Sequence, residues 1–167
     1  MTTLSRRTLA LTAASLTIVA LAAYAQAPDG PTRLTTEFRG PGMCLDVVNG
    51  GPRNHQAWLD TCQEVTGQSW VFQPVAGGMY RIHTEFTGPN KCLDINPSDN
   101  RAEFRDCGNF TGQLWRLSPG PNGTARLSTQ FRGPNMCLDV VNGGPRNNFV
   151  ELRPCGNFTG QMWHSNP

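Results

Sequence analysis

Three stretches of the chain alternate between apolar and polar positions. They are Arg33-Leu34-Thr35-Thr36-Glu37-Phe38, Arg81-Ile82-His83-Thr84-Glu85-Phe86 and Arg126-Leu127-Ser128-Thr129-Gln130-Phe131. A period of two marks a strand with one buried face, so Leu34, Thr36, Phe38 and their counterparts are expected to point inward. A Gly-Pro turn follows each stretch, at Gly40-Pro41, Gly88-Pro89 and Gly133-Pro134, and hands the chain to a second strand bearing Cys-Leu-Asp. Alternation there places Leu45 with Val47, Leu93 with Ile95 and Leu138 with Val140 inside, while Cys44 and Asp46 share the outer face. On a third strand the inward parity falls on Ala57 and Leu59, Ala102 and Phe104, and Val150 and Leu152. Gln56, Trp58 and Asp60 then point outward with Cys62. A fourth strand carries Gln68 and Trp70, Gln113 and Trp115, and Gln161 and Trp163. Those tryptophans, aligned with inward Phe72 and Leu117, are expected to be core.

The pattern therefore repeats three times, over residues 33–80, 81–125 and 126–167. Self-similarity at this period makes one single all-β domain of about twelve short strands with no helix. The middle repeat is shorter because Asn96-Pro97-Ser98-Asp99 replaces the longer loops that begin Asn49-Gly50-Gly51-Pro52 and Asn142-Gly143-Gly144-Pro145. Six cysteines allow fifteen pairings, but the repeat selects one, since each unit places both of its cysteines on the outer side of one hairpin. The expected bonds are Cys44–Cys62, Cys92–Cys107 and Cys137–Cys155, each worth about 3 kcal/mol in the chain-entropy account. Zinc is disfavoured by the lack of any Cys-x-x-Cys spacing, and no metal or cofactor is expected.

Residues 1–25 change the electrostatic picture. Arg6 and Arg7 precede an uncharged run from Thr8 that ends in Ala23-Tyr24-Ala25, the pattern of an export signal cleaved before Gln26. Thr12, Ser15 and Thr17 dilute the run too far for a membrane anchor. Ser5-Arg6-Arg7-Thr8-Leu9 resembles a bacterial twin-arginine motif, which gives an expected location outside the cytoplasm, secreted or periplasmic. Removal of Arg6 and Arg7 without any acid leaves twelve basic against twelve acidic residues. A neutral mature chain argues against nucleic acid as partner. Residues 26–32 read as a short linker and 33–167 as the domain.

Cys-Leu-Asp, a second cysteine and Gln-x-Trp, in register three times, resemble the ricin B-type lectin family over essentially the whole mature chain. The resemblance implies a β-trefoil, a six-stranded barrel closed at one end by three hairpins, and carbohydrate binding. It also implies that the Asp of the triplet accepts sugar hydroxyls, that an aromatic two residues before the second cysteine stacks on the ring, and that an Asn precedes the glutamine. Asp46, Asp94 and Asp139 match. The stacking position instead holds Asp60, Arg105 and Arg153, and the Asn position holds Gly67, Gly112 and Gly160. In repeat one Trp58 lies on the same outer face and either replaces the missing ring or covers the neighbouring disulfide. Repeat three offers Phe149 further along. The candidate carbohydrate residues are thus Asp46, Asn49, Trp58, Asp60 and Gln68 in repeat one, expected to be the best site, with Asp94 in repeat two and Asp139, Asn142 and Phe149 in repeat three. The three Asp residues have a competing role, bonding backbone amides to hold their hairpins. Glu103 with Arg105 and Glu151 with Arg153 read as solvated pairs worth little.

His55, His83 and His164 are scattered, and no nucleophile, base and orienting group can be assembled from the spacing. The expected function is a monomeric, non-enzymatic lectin-like module whose partner is a glycan or polysaccharide. The alternative is a protein-binding β-trefoil with degenerate sugar sites. Its motive is the near-identity of residues 38–54 and 131–147, which extends through the loops. Asn109-Phe110-Thr111, Asn122-Gly123-Thr124 and Asn157-Phe158-Thr159 are glycosylation acceptors only in a eukaryotic secretory path.

Overall fold

The computed structural model describes residues 25–166, so the expected export signal lies, but for Ala25, outside the described residues. Twelve strands run through them: β1 Arg33–Thr36, β2 Gly40–Val47, β3 Ala57–Thr61, β4 Trp70–Val75, β5 Met79–Thr84, β6 Lys91–Ile95, β7 Ala102–Asp106, β8 Trp115–Pro119, β9 Ala125–Thr129, β10 Met136–Val140, β11 Val150–Pro154 and β12 Trp163–Asn166. The only helical elements among the described residues are three-residue 3-10 turns.

Six strands close a barrel. Antiparallel pairs join β1 to β12, β12 to β9, β9 to β8, β8 to β5 and β5 to β4. Thr32 completes the ring by exchanging both backbone hydrogen bonds with Trp70 at the head of β4, at 2.9 and 2.8 Å. The last residue of the expected linker is therefore part of the barrel. Closure leaves no free sheet edge in the ring. The hairpins β2-β3, β6-β7 and β10-β11 cap one end, and barrel plus three hairpins is a β-trefoil.

Around the pseudo-threefold axis each hairpin bonds to the next through one repeated contact. The amides of Leu59, Phe104 and Leu152 donate to the carbonyls of Asn148, His55 and Asn100 at 2.8, 2.8 and 2.9 Å. All three acceptors have left-handed backbones, with φ of 70°, 69° and 63°. That conformation is uncommon for a side-chain-bearing residue, and asparagine tolerates it best.

The core follows the inward parity read from sequence. Leu45, Leu59, Leu93, Phe104, Leu138 and Leu152 are buried around Trp70, Trp115 and Trp163. Each indole N–H finds a carbonyl of its own repeat, at Leu45, Leu93 or Leu138, 2.7–2.9 Å away. The large rings thus contribute burial without leaving a polar atom unpaired. All three expected disulfides are present, with Cα–Cα distances of 4.9, 5.0 and 5.0 Å.

The alternation is broken in three places. Phe38, Phe86 and Phe131 lie beyond their strands, which end two residues earlier, at Thr36, Thr84 and Thr129; Phe38 still packs half-buried against the core, whereas Phe86 and Phe131 are exposed. The chain turns there because the next amides bond a neighbouring 3-10 turn, Phe38 N–H to Thr159 O, Phe86 N–H to Thr66 O and Phe131 N–H to Thr111 O. Second, Cys44, Asp94 and Asp139 are buried although they sit on the outer parity. The cover is supplied by the third departure: Gln68, Gln113 and Gln161 do not open the fourth strand but end the 3-10 turns Thr66–Gln68, Thr111–Gln113 and Thr159–Gln161, which fold across the hairpins.

Candidate functional site: two clefts between repeats

The Asp of each triplet sits under one of these turns. Gln68, Gln113 and Gln161 donate from Nε2 to an Oδ2 of Asp46, Asp94 and Asp139, each at 3.0 Å. The same Nε2 atoms donate to the carbonyls of Thr61, Asp106 and Pro154, and each Oε1 accepts the amide of residue 63, 108 or 156. These glutamines are fully buried with both Nε2 hydrogens taken up inside the repeat, so Gln68 presents no exposed amide to a ligand. Asp46 and Asp94 also accept the following amide, of Val47 and Ile95, at 2.7 Å, and Asp139 accepts that of Val140. The amide-holding role expected as the competing reading is thus real. Burial raises the Asp139 carboxyl above its ordinary value, against the opposing pull of Gln161, Val140 and Arg153.

Glycine precedes each glutamine for a spatial reason. A Cβ on Gly67, Gly112 or Gly160 would overlap Oδ1 of Asp46, Asp94 or Asp139. The missing Asn therefore reflects an aspartate tucked against the turn backbone.

Trp58 and Phe149 are brought together, but with each other. Their rings lie 5.9 Å apart between centroids, and their backbones form a bridge. Phe149 is 4 % exposed, with the guanidinium of Arg53 4.7 Å above its ring. It belongs to an interface between repeats one and three and cannot offer a sugar an open face. Trp58 does stand opposite Asp46 across β2-β3, yet its ring is engaged with Phe149. Asp60, two residues further along, accepts its own neighbour's amide at 2.7 Å. Asn49 is exposed on its loop. The 380 Å³ cleft beside repeat one is lined by Arg33, Glu64, Val65 and Glu85 and includes none of Asp46, Trp58 or Asp60.

Open aromatic surface gathers elsewhere. Phe110 and Phe158 are 60 % and 59 % exposed and line clefts of about 300 and 350 Å³. Asp94 and Asp139 lie in the respective walls, as do Arg105 and Arg153, and Asn109 and Asn157. The opposite wall comes from another repeat: Phe131 faces the repeat-two cleft and Phe38 the repeat-three cleft. Arginine side chains hold these walls. Arg132 and Arg39 stack on Phe131 and Phe38 with Cζ 4.2 Å from each centroid, and reach across to Pro97 O and Asn147 Oδ1, both at 2.7 Å. Arg81 and Arg126 donate to the carbonyls of Gly108 and Gly156 at 3.0 and 3.1 Å, fixing the loops that carry Phe110 and Phe158. Each of these rings folds back over Gly108 or Gly156, where a Cβ would strike it.

Of the expected residues, Asp94, Asp139 and Asn142 line these clefts. Phe38, Phe110, Phe131 and Phe158 line them too and are not among the residues expected from the sequence. A signal for two of them is present in the sequence, since Cys-Gly-Asn-Phe-Thr-Gly-Gln occurs in repeats two and three, whereas repeat one reads Cys-Gln-Glu-Val-Thr-Gly-Gln. Among the described residues no cluster of three or more metal-ligating side chains occurs, and no helix is long and apolar enough to cross a membrane.

No curated protein sequence gives a match to the chain. Among solved structures, the designed threefold-symmetric protein ThreeFoil is 23 % identical with a TM-score of 0.70, and the alignment covers 83 % of this chain and 99 % of that one. The exo-β-1,3-galactanase of Clostridium thermocellum is 21 % identical (TM-score 0.69) over 84 % of this chain but 31 % of its own. The Polyporus squamosus lectin, solved with a human-type influenza-binding epitope, is 16 % identical (TM-score 0.68) over 84 % of this chain and 50 % of its own. At these identities the likeness concerns the fold alone. The family description "ricin-type beta-trefoil lectin domain" matches residues 78–167, and a second, "ricin-type beta-trefoil lectin domain-like", matches residues 28–105. With the three Cys-Leu-Asp to Gln-x-Trp units folded as a β-trefoil, the chain belongs to the ricin-type β-trefoil lectin domain family.

Proposed function

We propose that the chain is an exported carbohydrate-binding module that holds glycans, without turnover, in the clefts of repeats two and three. The observation that carries this reading is the same cleft built twice, with an exposed phenylalanine on an Asn-Phe-Thr-Gly loop opposed by a second phenylalanine from another repeat. A pyranose presents apolar C–H faces and an equator of hydroxyls. Aromatic walls suit the first, and the Asn109 or Asn157 amide, backbone groups and the edge of the Asp carboxylate suit the second. Volumes of about 300 and 350 Å³ are at the small end of ligand sites, which fits one or two sugar units and shallow recognition. Three disulfides support an oxidising compartment.

The best site moves from repeat one, where Val65 stands in place of the loop phenylalanine and Trp58 is stacked on Phe149. A glycan array on residues 26–167, followed by titration of the best hit, tests the reading. Phe110→Ala and Phe158→Ala together should lower affinity at least about tenfold, since each removes an aromatic face. Glycan binding unaffected by that pair, or no binding to any glycan, refutes it.

A further inference from the structure

We infer that the clefts of repeats two and three select saccharides that carry a carboxylate; this rests on the proposal that those clefts hold glycans. The position two residues before the second cysteine lines each cleft and carries Arg105 and Arg153, where repeat one has Asp60. A preceding glutamate orients each guanidinium. Arg105 donates from Nε to Glu103 Oε1 at 2.8 Å and Arg153 from Nε to Glu151 Oε1 at 2.9 Å. Among the described residues, Nη1 of Arg105 and both Nη groups of Arg153 have no protein acceptor within hydrogen-bonding distance. A second cation borders each cleft, Arg132 beside Phe131 and Arg39 beside Phe38, at positions where repeat two's own copy has Thr87.

Charges in these clefts are sorted by depth. Acidic side chains are nearest the protein: Asp94 is 5 % and Asp139 8 % exposed, with their oxygens bonded to amides. The side chains of Arg105 and Arg153 are 46 % and 48 % exposed, against 19 % and 20 % for Glu103 and Glu151. An incoming ligand meets guanidinium first. At the equivalent positions repeat one has Asp60 in place of the arginine and Glu64, which pairs with Arg33, in place of the asparagine, so it lacks the guanidinium that the other two present. The guanidinium's planar fork matches a carboxylate with two parallel hydrogen bonds, while the phenyl walls hold the ring bearing it. Uronic-acid chains and sialylated glycans share this chemistry.

The test titrates residues 26–167 with tetragalacturonate and its methyl ester, and with sialyllactose and lactose, by calorimetry at low and at physiological salt. The expected result is an acid form bound about tenfold or more above its neutral counterpart in at least one pair, with the preferred pair naming the source. Arg105→Gln with Arg153→Gln should bring that ratio close to one while near-ultraviolet dichroism stays unchanged. Asp60→Ala should leave the ratio intact. Equal binding of acid and neutral forms, or a preference that survives the double arginine substitution, overturns the inference. If neutral glycans bind and Phe110→Ala with Phe158→Ala abolishes that binding, the clefts stand as sugar sites and only the acid selectivity falls. Should no saccharide bind at all, both readings fall together.

Discussion

Gly112→Ala probes the joint between fold and cleft. The backbone at Gly112 is in a region open to any residue, so no conformational strain attends the change; the new methyl would instead overlap Asp94 Oδ1 and lie 3.4 Å from the Ile95 backbone nitrogen and oxygen. Relief requires the carboxylate to turn away. It then loses the Ile95 amide at 2.7 Å and the Gln113 Nε2 donor at 3.0 Å. Hydrogen bonds to a charged acceptor are worth about 1.5–3 kcal/mol each, and alanine returns about 0.4–1 kcal/mol by restricting the unfolded chain. The net loss is about 2–5 kcal/mol, a fall in melting temperature of roughly 6–15 °C for a domain of this size. Urea denaturation of wild type, Gly112→Ala, Asp94→Ala and the double variant measures it as a cycle. Without the Asp94 carboxylate the methyl has room, so Gly112→Ala should then cost under about 1 kcal/mol, a coupling of about 2 kcal/mol between touching residues. An equal cost in both backgrounds, or a single-variant cost under about 1 kcal/mol, refutes the claim that the carboxylate dictates glycine there.

Further expectations are quickly stated. Trp58→Ala should destabilise the fold by about 2 kcal/mol through its lost packing on Phe149 and leave glycan affinity unchanged; a selective loss of binding would return the site to repeat one. Replacing Cys92 and Cys107 together by serine should cost about 3 kcal/mol, read by denaturant midpoint, and a cost near zero would contradict it. The folded-state Asp139 carboxyl should titrate above the ordinary aspartate value by carboxyl-carbon NMR. With the folded state holding that proton more tightly than the unfolded one, its contribution to stability falls as pH rises from the ordinary value through the raised one, and is recovered on acidification. A midpoint at or below the ordinary value refutes the burial account.

Much of the fold was legible because it is written within each repeat. Leu45, Leu93 and Leu138 obey strand parity, and the tryptophans fill equivalent core positions. The cysteine pairing follows from one hairpin seen three times. What escaped is what crosses between repeats. Phe38 and Phe131 continue an alternation on paper, but amide bonds to Thr159 and Thr111 end their strands and deliver both rings to another repeat's cleft. Trp58 has an outward parity, and nothing local reveals that Phe149, from a distant stretch of chain, lies against it. The buried aspartates likewise depend on turns that fold over them from outside the strand. Parity decides which side of a strand a residue takes; it does not say what the rest of the chain puts there.

The three bridges at the capped end have a consequence for assembly. Equivalent positions meet backbone to backbone as Gln56 with Glu103, Arg101 with Glu151, and Phe149 with Trp58; the rings of the last pair also touch, whereas the side chain of Arg101 pairs with Asp99 and that of Glu103 with Arg105. In the barrel, by contrast, the repeats present much the same leucines and tryptophans. The seam between repeats one and three thus carries at its bridge a ring pair that the other two bridges lack, a mark that distinguishes one joint in the assembly of near-identical modules.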